Sequence, residues 1–180
     1  MTDTPAACRR ASGRDAAALA EFAARTFTDT YAAFNSEEDM RAYLAGAYGV
    51  AQQSLELADP GMITVLAESA EGIVGFAQVR RSEAPPSVTH DRPVEIYRFY
   101  VDRSAHGTGV APRLMNAALD AARDLGGSHA WLGVWERNAR AIAFYAKSGF
   151  RDVGTQTFQL GADRQTDRVV VRALDPESQG

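Results

Sequence analysis

The stretch HGTGVA, His106, Gly107, Thr108, Gly109, Val110 and Ala111, has the residue types of a phosphate cradle. Glycines let a backbone approach an anion closely, and the first turn of a following helix aims unpaired N–H groups at it. The stretch stands between an apolar run, Val94 to Val101, and a run with Val110, Leu114, Ala118, Ala121 and Leu125 at helical spacing. Two common phosphate loops do not fit. A Walker loop needs Lys followed by Ser or Thr after its last glycine, and neither is present. A dinucleotide fingerprint needs a third glycine, where this chain has Pro112, and a later acidic residue, where it has Ser128 and His129. Pro112 itself suits the first turn of a helix, which loses nothing by its missing N–H.

A second set of residues follows: Asn138, Ala141, Phe144, Tyr145, Lys147, Gly149 and Phe150. These fit N-x-x-A-x-x-F-Y-x-K-x-G-F. The glycine loop fits Q/R-x-x-G-x-G/A at Gly109 and Ala111, with His106 where Gln or Arg is usual. Two ordered motifs make the chain resemble the GCN5-related N-acetyltransferases (GNAT) over nearly its whole length. The resemblance implies an α/β fold: a GNAT-type mixed, mostly antiparallel central sheet with helices on both faces, splayed at the central strands. It implies one domain over residues 1–175, with 176–180 a disordered tail, and acetyl-CoA as co-substrate without a metal.

Moving an acetyl group from a thioester to an amine sets three chemical demands. An amine with a pKa of about 10 is roughly one part in a thousand neutral at pH 7, so it must lose a proton. The attack creates an oxyanion, and the leaving thiolate, of pKa about 8.5, departs best beside a proton donor. By position, eleven residues before His106, Glu95 resembles the general base of the family's histone-acetylating branch. It would act directly or through a water; otherwise it is a solvated strand residue. Strand alternation places Glu95, Tyr97, Phe99 and Val101 on one face. The resemblance makes the Phe99 backbone N–H the oxyanion donor and pairs the backbone of Phe99, Tyr100 and Val101 with the pantetheine arm. Tyr145 is the acid candidate, a phenol that remains protonated at neutral pH; its other reading is a core aromatic beside Phe144. Asn138 reads as a helix N-cap, and the resemblance implies that it also touches the cofactor. Lys147 joins the cofactor set through the second motif. Trp131 and Trp135 share a face of a short strand, as core or pocket wall. His90, His106 and His129 lack metal-ligand spacing.

These residues need a scaffold, and the pattern supplies one. A short strand is expected at Ala7 to Arg10, then a helix from a capping-box-like Ser12 and Asp15 to about Phe27. Asn35 or Ser36 caps a second helix carrying Glu37, Glu38 and Asp39 in its first turn. A third covers Ala51 to Ala58. A hairpin joins Met62–Ala67 to Ile73–Arg80, and a proline-rich loop spans Glu83 to Pro93. The central strand and helix follow, the helix stopping at Gly126 and Gly127. Then come a strand at Ala130 to Val134 and a helix at Ala139 to Ser148. Arg151 to Leu160 and Asp167 to Leu174 pair across a long turn.

At 180 residues with a net charge of −4, the chain suits one soluble domain and lacks the basic face of a nucleic-acid binder. Cys8 is its single cysteine, which rules out an internal disulfide and leads to an expected cytoplasmic setting. No apolar run nears membrane-spanning length, so no membrane partner is expected.

Within the family, TFTDTY (Thr26 to Tyr31), NSEEDMRAYL (Asn35 to Leu44) and WLGVWERN (Trp131 to Asn138) resemble the bacterial PaiA-type polyamine N-acetyltransferases. So does the spacing of Phe158, Gly161, Gln165, Thr166 and Asp167. Tyr97 stands where that branch carries a second acidic residue. The branch implies spermidine or spermine as acceptor, a small-molecule amine, with Glu95, Glu136, Glu37, Glu38 and Asp39 as carboxylates for its second charge. Acidic residues in a first helical turn also offset the macrodipole whatever the substrate. A homodimer is left open. The alternatives are N-terminal acetylation of a protein, as in ribosomal-protein acetyltransferases, and a non-catalytic acyl-CoA-binding module.

Overall fold

The computed structural model describes residues 6–174. The tail expected at 176–180 lies outside them. In chain order the elements are β1 (Ala7–Arg10), α1 (Ala16–Tyr31), α2 (Glu37–Ala47), α3 (Val50–Ala58), β2 (Met62–Ser69), β3 (Gly72–Arg80), β4 (Pro93–Val101), α4 (Val110–Asp124), β5 (His129–Trp135), α5 (Ala139–Lys147), β6 (Arg151–Leu160) and β7 (Asp163–Ala173).

Local chemistry sets several boundaries. Asp15 accepts from the Ser12 N–H at 2.7 Å and is gripped by both Arg9 terminal nitrogens, which fixes the entry to α1. This helix runs one turn beyond Phe27. The hydroxyls of Thr26, Thr28 and Thr30 donate to carbonyls four residues back at 2.9, 2.8 and 2.9 Å, so a threonine-rich segment stays helical. Ser36 is the cap of α2, accepting from the Asp39 N–H at 3.1 Å.

The seven strands form one sheet in the order β1-β2-β3-β4-β5-β7-β6. Every neighbouring pair is antiparallel except β4 and β5. On one face α4 buries Val110, Leu114, Met115, Ala118 and Leu119 against Val79, Val94, Ile96 and Leu132. On the other, α1 packs Leu19, Phe22 and Phe27 with Leu66 and Phe76. The mixed sheet with helices on both faces is as the sequence implied.

Two irregularities in β4 govern the site. The first is a bulge. Gln78 pairs with Arg98 but Val79 pairs with Ile96, leaving Tyr97 as the extra residue. An inserted residue reverses the alternation. Val94 and Ile96 therefore share the α4 side with Phe99 and Val101, while Arg98 and Tyr100 face the α1 side. The expected common face of Glu95, Tyr97, Phe99 and Val101 is thus broken at Tyr97. The second is a splay. The parallel ladder pairs only Pro93, Val94 and Glu95 with His129, Ala130 and Trp131, although both strands continue.

The last hairpin also differs from expectation. β6 and β7 are joined by Gly161 and Ala162 alone, with Leu160 opposite Asp163. Gly161 has φ +59°, and α2 secures the turn: Asp39 Oδ1 accepts from the Ala162 N–H at 2.7 Å. The polar run Asp163 to Thr166 is strand because distant residues hold it, not because of its own pattern.

Candidate active site

The glycine loop begins where β4 ends. Asp102 accepts from the Ser104 N–H at 2.9 Å and opens a tight turn. Gly107 and Gly109 follow at φ +79° and +84°, a left-handed conformation that costs other residues about 1–2 kcal/mol. A Cβ on Gly107 would meet nothing within 4 Å, so the loop surface is open. His106, Gly107, Gly109 and Ala111 line a cavity of about 880 Å³. Thr108 and Val110 do not line it. The Thr108 hydroxyl turns back onto the Ala105 carbonyl at 2.7 Å, and Val110 is buried under α4. His106 Nε2 lies 3.0 Å from the Val101 carbonyl and donates to it. Burial, with Arg140 adding to it, holds its pKa below the usual histidine range. His106 thus ties the loop to the strand end as a neutral group.

The cavity occupies the splay, between Ile96 to Val101 on β4 and Leu132 to Trp135 on β5. Backbone directions there follow from one hydrogen bond: the Asp102 N–H donates to the Val74 carbonyl at 2.9 Å. In an antiparallel strand the backbone groups of successive residues point to opposite sides. Tyr100 therefore turns its N–H and C=O to β3, and Phe99 and Val101 turn theirs into the gap. The His106 bond to the Val101 carbonyl agrees with this.

The start of α5 closes one end of the cavity. Asn138 Oδ1 accepts from the Ala141 N–H at 3.1 Å and caps the helix while Asn138 lines the space. Phe144 and Tyr145 both line it. Tyr145 is the more buried of the two, with its ring edge-on to Phe99, Phe144 and Phe150. Burial pushes its hydroxyl well above the ordinary phenol range, so it is a protonated donor throughout the neutral range. Arg103, Arg137 and Arg140 add positive charge around the loop. Lys147 is exposed in the last turn of α5 and does not line the cavity.

A second chamber, of about 100 Å³, opens on the α1 side. Tyr31, Tyr97, Arg98, Tyr100, Gly133 and Trp135 line both the larger cavity and this chamber. Its walls are largely aromatic. Phe27 stacks on Tyr43 at 4.6 Å, Tyr43 meets Phe158 at 5.7 Å, and Trp135 meets Tyr31 at 5.7 Å. Burial raises the hydroxyls of Tyr31, Tyr48 and Tyr100, and pushes Tyr43 up to about 12, so this wall is uncharged.

Three carboxylates approach this chamber. Glu95 lines it, but Arg80 Nε holds its Oε2 at 2.6 Å. Glu56 is bound by the buried Arg98, whose Nη1 lies 2.6 Å from Glu56 Oε2 and 2.6 Å from Gln78 Oε1. Asp167, on β7, is 8% exposed and has no such partner. Burial pushes its carboxyl up to about 6, with Gln156 opposing the shift and Glu136 adding to it. Sequence reasoning missed the Arg98–Glu56–Gln78 group and placed Asp167 only in a spacing match. The available signals were Gln165 and Asp167 on the same strand face as Val169 and Val171, and a glycine inside β5.

The other expected acidic residues do not line either space. Glu37, Glu38 and Glu136 are exposed, and Asp39 is engaged by Ser36 and Ala162. Trp131 and Trp135 do share the α1 face: Trp131 packs with Val169 and Val171, and Trp135 forms pocket wall. Among the described residues no three His, Cys, Asp or Glu side chains group as metal ligands, and no helix is long and apolar enough to cross a membrane.

A sequence model described as the acetyltransferase (GNAT) family matches residues 18–150. An uncharacterized N-acetyltransferase of Mycobacterium tuberculosis is 38% identical over 160 residues, covering 89% of this chain and 98% of that protein. Another, of Lactobacillus delbrueckii subsp. lactis, is 33% identical over 159 residues, covering 87% and 92%. Among solved structures, the PaiA N-acetyltransferase of Thermoplasma acidophilum in complex with coenzyme A has a similar fold, with a TM-score of 0.75. It is 18% identical and covers 94% of this chain and 99% of that one.

Proposed function

The chain belongs to the acetyltransferase (GNAT) family and takes its acetyl group from acetyl-CoA, and from that premise we propose that it acetylates a primary amine of a small polyamine such as spermidine or spermine. The amine attacks the thioester directly within a ternary complex. The observation that carries this reading is that the two cavities share one set of lining residues at the splay. A donor entering beside the glycine loop and an acceptor entering past the aromatic wall meet there without a covalent enzyme intermediate.

In this reading the loop His106 to Ala111 cradles the pyrophosphate, with Gly107 and Gly109 giving close approach. Phe99 and Val101 offer the pantetheine arm backbone groups that no strand uses. The Phe99 N–H donates to the oxyanion, and Tyr145 gives its proton to the departing thiolate. Asn138 holds the first turn of α5 against the cofactor. Tyr100 turns its backbone to β3, so its contribution is its ring on the acceptor side.

Chamber size and chemistry support a slender cation. One water centre needs about 10–15 Å³ of such volume, so about 100 Å³ takes a short alkyl chain rather than a folded peptide end. Aromatic faces attract ammonium groups by about 0.5–2 kcal/mol each. The test is thiol release from acetyl-CoA with spermidine, spermine, monoamines of equal length and peptides with free N-termini. The polyamines should give the highest kcat/KM. A peptide exceeding them by tenfold would replace this reading with protein N-terminal acetylation. No turnover with any amine would leave an acyl-CoA-binding module.

A further inference from the structure

Asp167 sits on β7, one strand in from the sheet edge, opposite Trp135 on β5 and Gln156 on β6. Gly133 leaves room for the Gln156 amide and the Asp167 carboxylate together: a Cβ there would clash with Gln156 Nε2 and lie 2.9 Å from Asp167 Oδ2. Gly133 also borders both cavities. The charged groups around the chamber are otherwise balanced. Glu95 is paired with Arg80, Arg98 with Glu56, and Arg168, on the far side of β7, with Asp152. Glu136 is exposed and adds negative potential, and the facing phenols, Tyr31 among them, are neutral. Asp167 is left as a buried carboxylate that faces the chamber with a hydrogen bond from Gln156 and no cation paired to it.

Gln165 supplies a second, independent observation. It is 9% exposed and lines the same chamber. Its Nε2 is held between Asn35 Oδ1 at 2.7 Å and Asp163 Oδ2 at 2.9 Å, which fixes which end of the amide is nitrogen. Its Oε1 is buried with no hydrogen-bond partner. A buried acceptor left unmatched is costly, and a ligand rich in N–H donors would match it.

We propose that Asp167 binds the acceptor's ammonium group and takes its first proton, with Gln165 Oε1 as the second acceptor for that nitrogen. This rests on the reading that the acceptor is an amine, not on its being a polyamine. The protons balance. The Asp167 carboxylate takes one proton from R–NH3+, and the freed nitrogen pair forms the C–N bond. Collapse breaks the C–S bond, and the thiolate takes the Tyr145 proton. The nitrogen, still carrying two hydrogens and a positive charge, returns one proton to Tyr145, leaving the neutral amide. Asp167 passes its proton to water.

The test is the pH profile of kcat/KM from about pH 5 to about pH 11, with acetyl-CoA saturating and spermidine varied. For the wild type a plateau is expected between a fall below about pH 6, where Asp167 protonates, and a fall above about pH 10, where the amine loses its charge. In Asp167→Asn only free amine reacts. The profile should then rise with unit slope to about pH 10, with kcat/KM down roughly 10²-fold or more at pH 7. Acetyl-CoA affinity by calorimetry should hold within about twofold, as a loss through misfolding would not. Gln165→Met should raise KM for the amine several-fold with kcat little changed, and it serves if the Asn variant does not fold. An Asp167→Asn enzyme that keeps the wild-type plateau overturns the proposal, as does an unaltered KM in Gln165→Met. If spermidine is inert but another amine reacts, the polyamine reading fails, and the same profiles taken with that amine still decide the role of Asp167.

Discussion

Arg80 Nε lies 2.6 Å from Glu95 Oε2, across a register pair of β3 and β4. The side chain that resembles the general base of the histone-acetylating branch is therefore the partner of a cation. It also stands on the α1 side of the sheet, while Phe99 turns its ring to the α4 side.

Glu95→Gln should lower kcat by less than about tenfold, below the 10²–10⁴-fold typical of a lost general base. Arg80 has 32% of its side chain exposed and can turn to water, so the stability loss should be about 1 kcal/mol. Steady-state kinetics and urea denaturation of the one variant check both. A 10³-fold fall in kcat would return the base role to Glu95.

Tyr145→Phe should lower kcat by about 10²–10⁴-fold while the acetyl-CoA dissociation constant stays within a few-fold. The ring keeps its contacts with Phe99 and Phe150, so circular dichroism and the melting temperature should be unchanged. Activity near wild type in single-turnover measurements would make Tyr145 a core aromatic.

Gly109→Ala and Gly109→Glu separate backbone strain from phosphate exclusion. Both carry a Cβ at φ +84° and should lose about 1–2 kcal/mol of stability. The nearest neighbour of that Cβ, Arg113 Nη2 at 4.0 Å, does not obstruct it. Only Glu adds negative charge where the pyrophosphate would sit. Calorimetry should show acetyl-CoA binding weakened a few-fold in the Ala variant and lost in the Glu variant. Equal affinities in the two would place the pyrophosphate elsewhere.

The elements were legible because each carries its own signal. Ser12 with Asp15 starts α1, Gly109 precedes α4, and near-continuous apolar runs on either side of a turn mark β2 and β3. What was not legible depends on partners far along the chain. The bulge at Tyr97 exists only as a mismatch between β4 and β3, and it reverses the faces of Phe99 and Val101. The strand at Asp163 to Thr166 depends on Asp39 and Asn35, more than a hundred residues earlier. Asp167 acquires its surroundings from Gly133, on a neighbouring strand. The backbone cradle and Tyr145 lie within contiguous motifs and could be read, whereas the aromatic chamber is assembled from α1, α2, β4, β5, β6 and β7.

The buried Asp167 carboxyl should leave a mark on stability as a function of pH. Its pKa rises from the ordinary 3.8 to about 6 on folding, mainly through burial. Between those values the native state binds more protons than the unfolded chain, so this group's contribution to stability falls as pH rises through that window. The loss amounts to about 2 kcal/mol once partial solvent screening is allowed for. Asp15 and Asp102 act in the opposite sense. Arg9 holds the first, and Ser104 with Arg25 the second, below the usual range, so they lose stability as pH falls. Those contributions are common to wild type and Asp167→Asn and cancel in their difference. The difference in unfolding free energy between the two proteins should therefore move by about 2 kcal/mol in favour of the Asn variant from pH 4 to pH 8. Urea titrations at the two pH values measure it. A difference that does not change with pH would mean that Asp167 ionises as an ordinary exposed carboxylate, with no desolvated charge awaiting an ammonium partner.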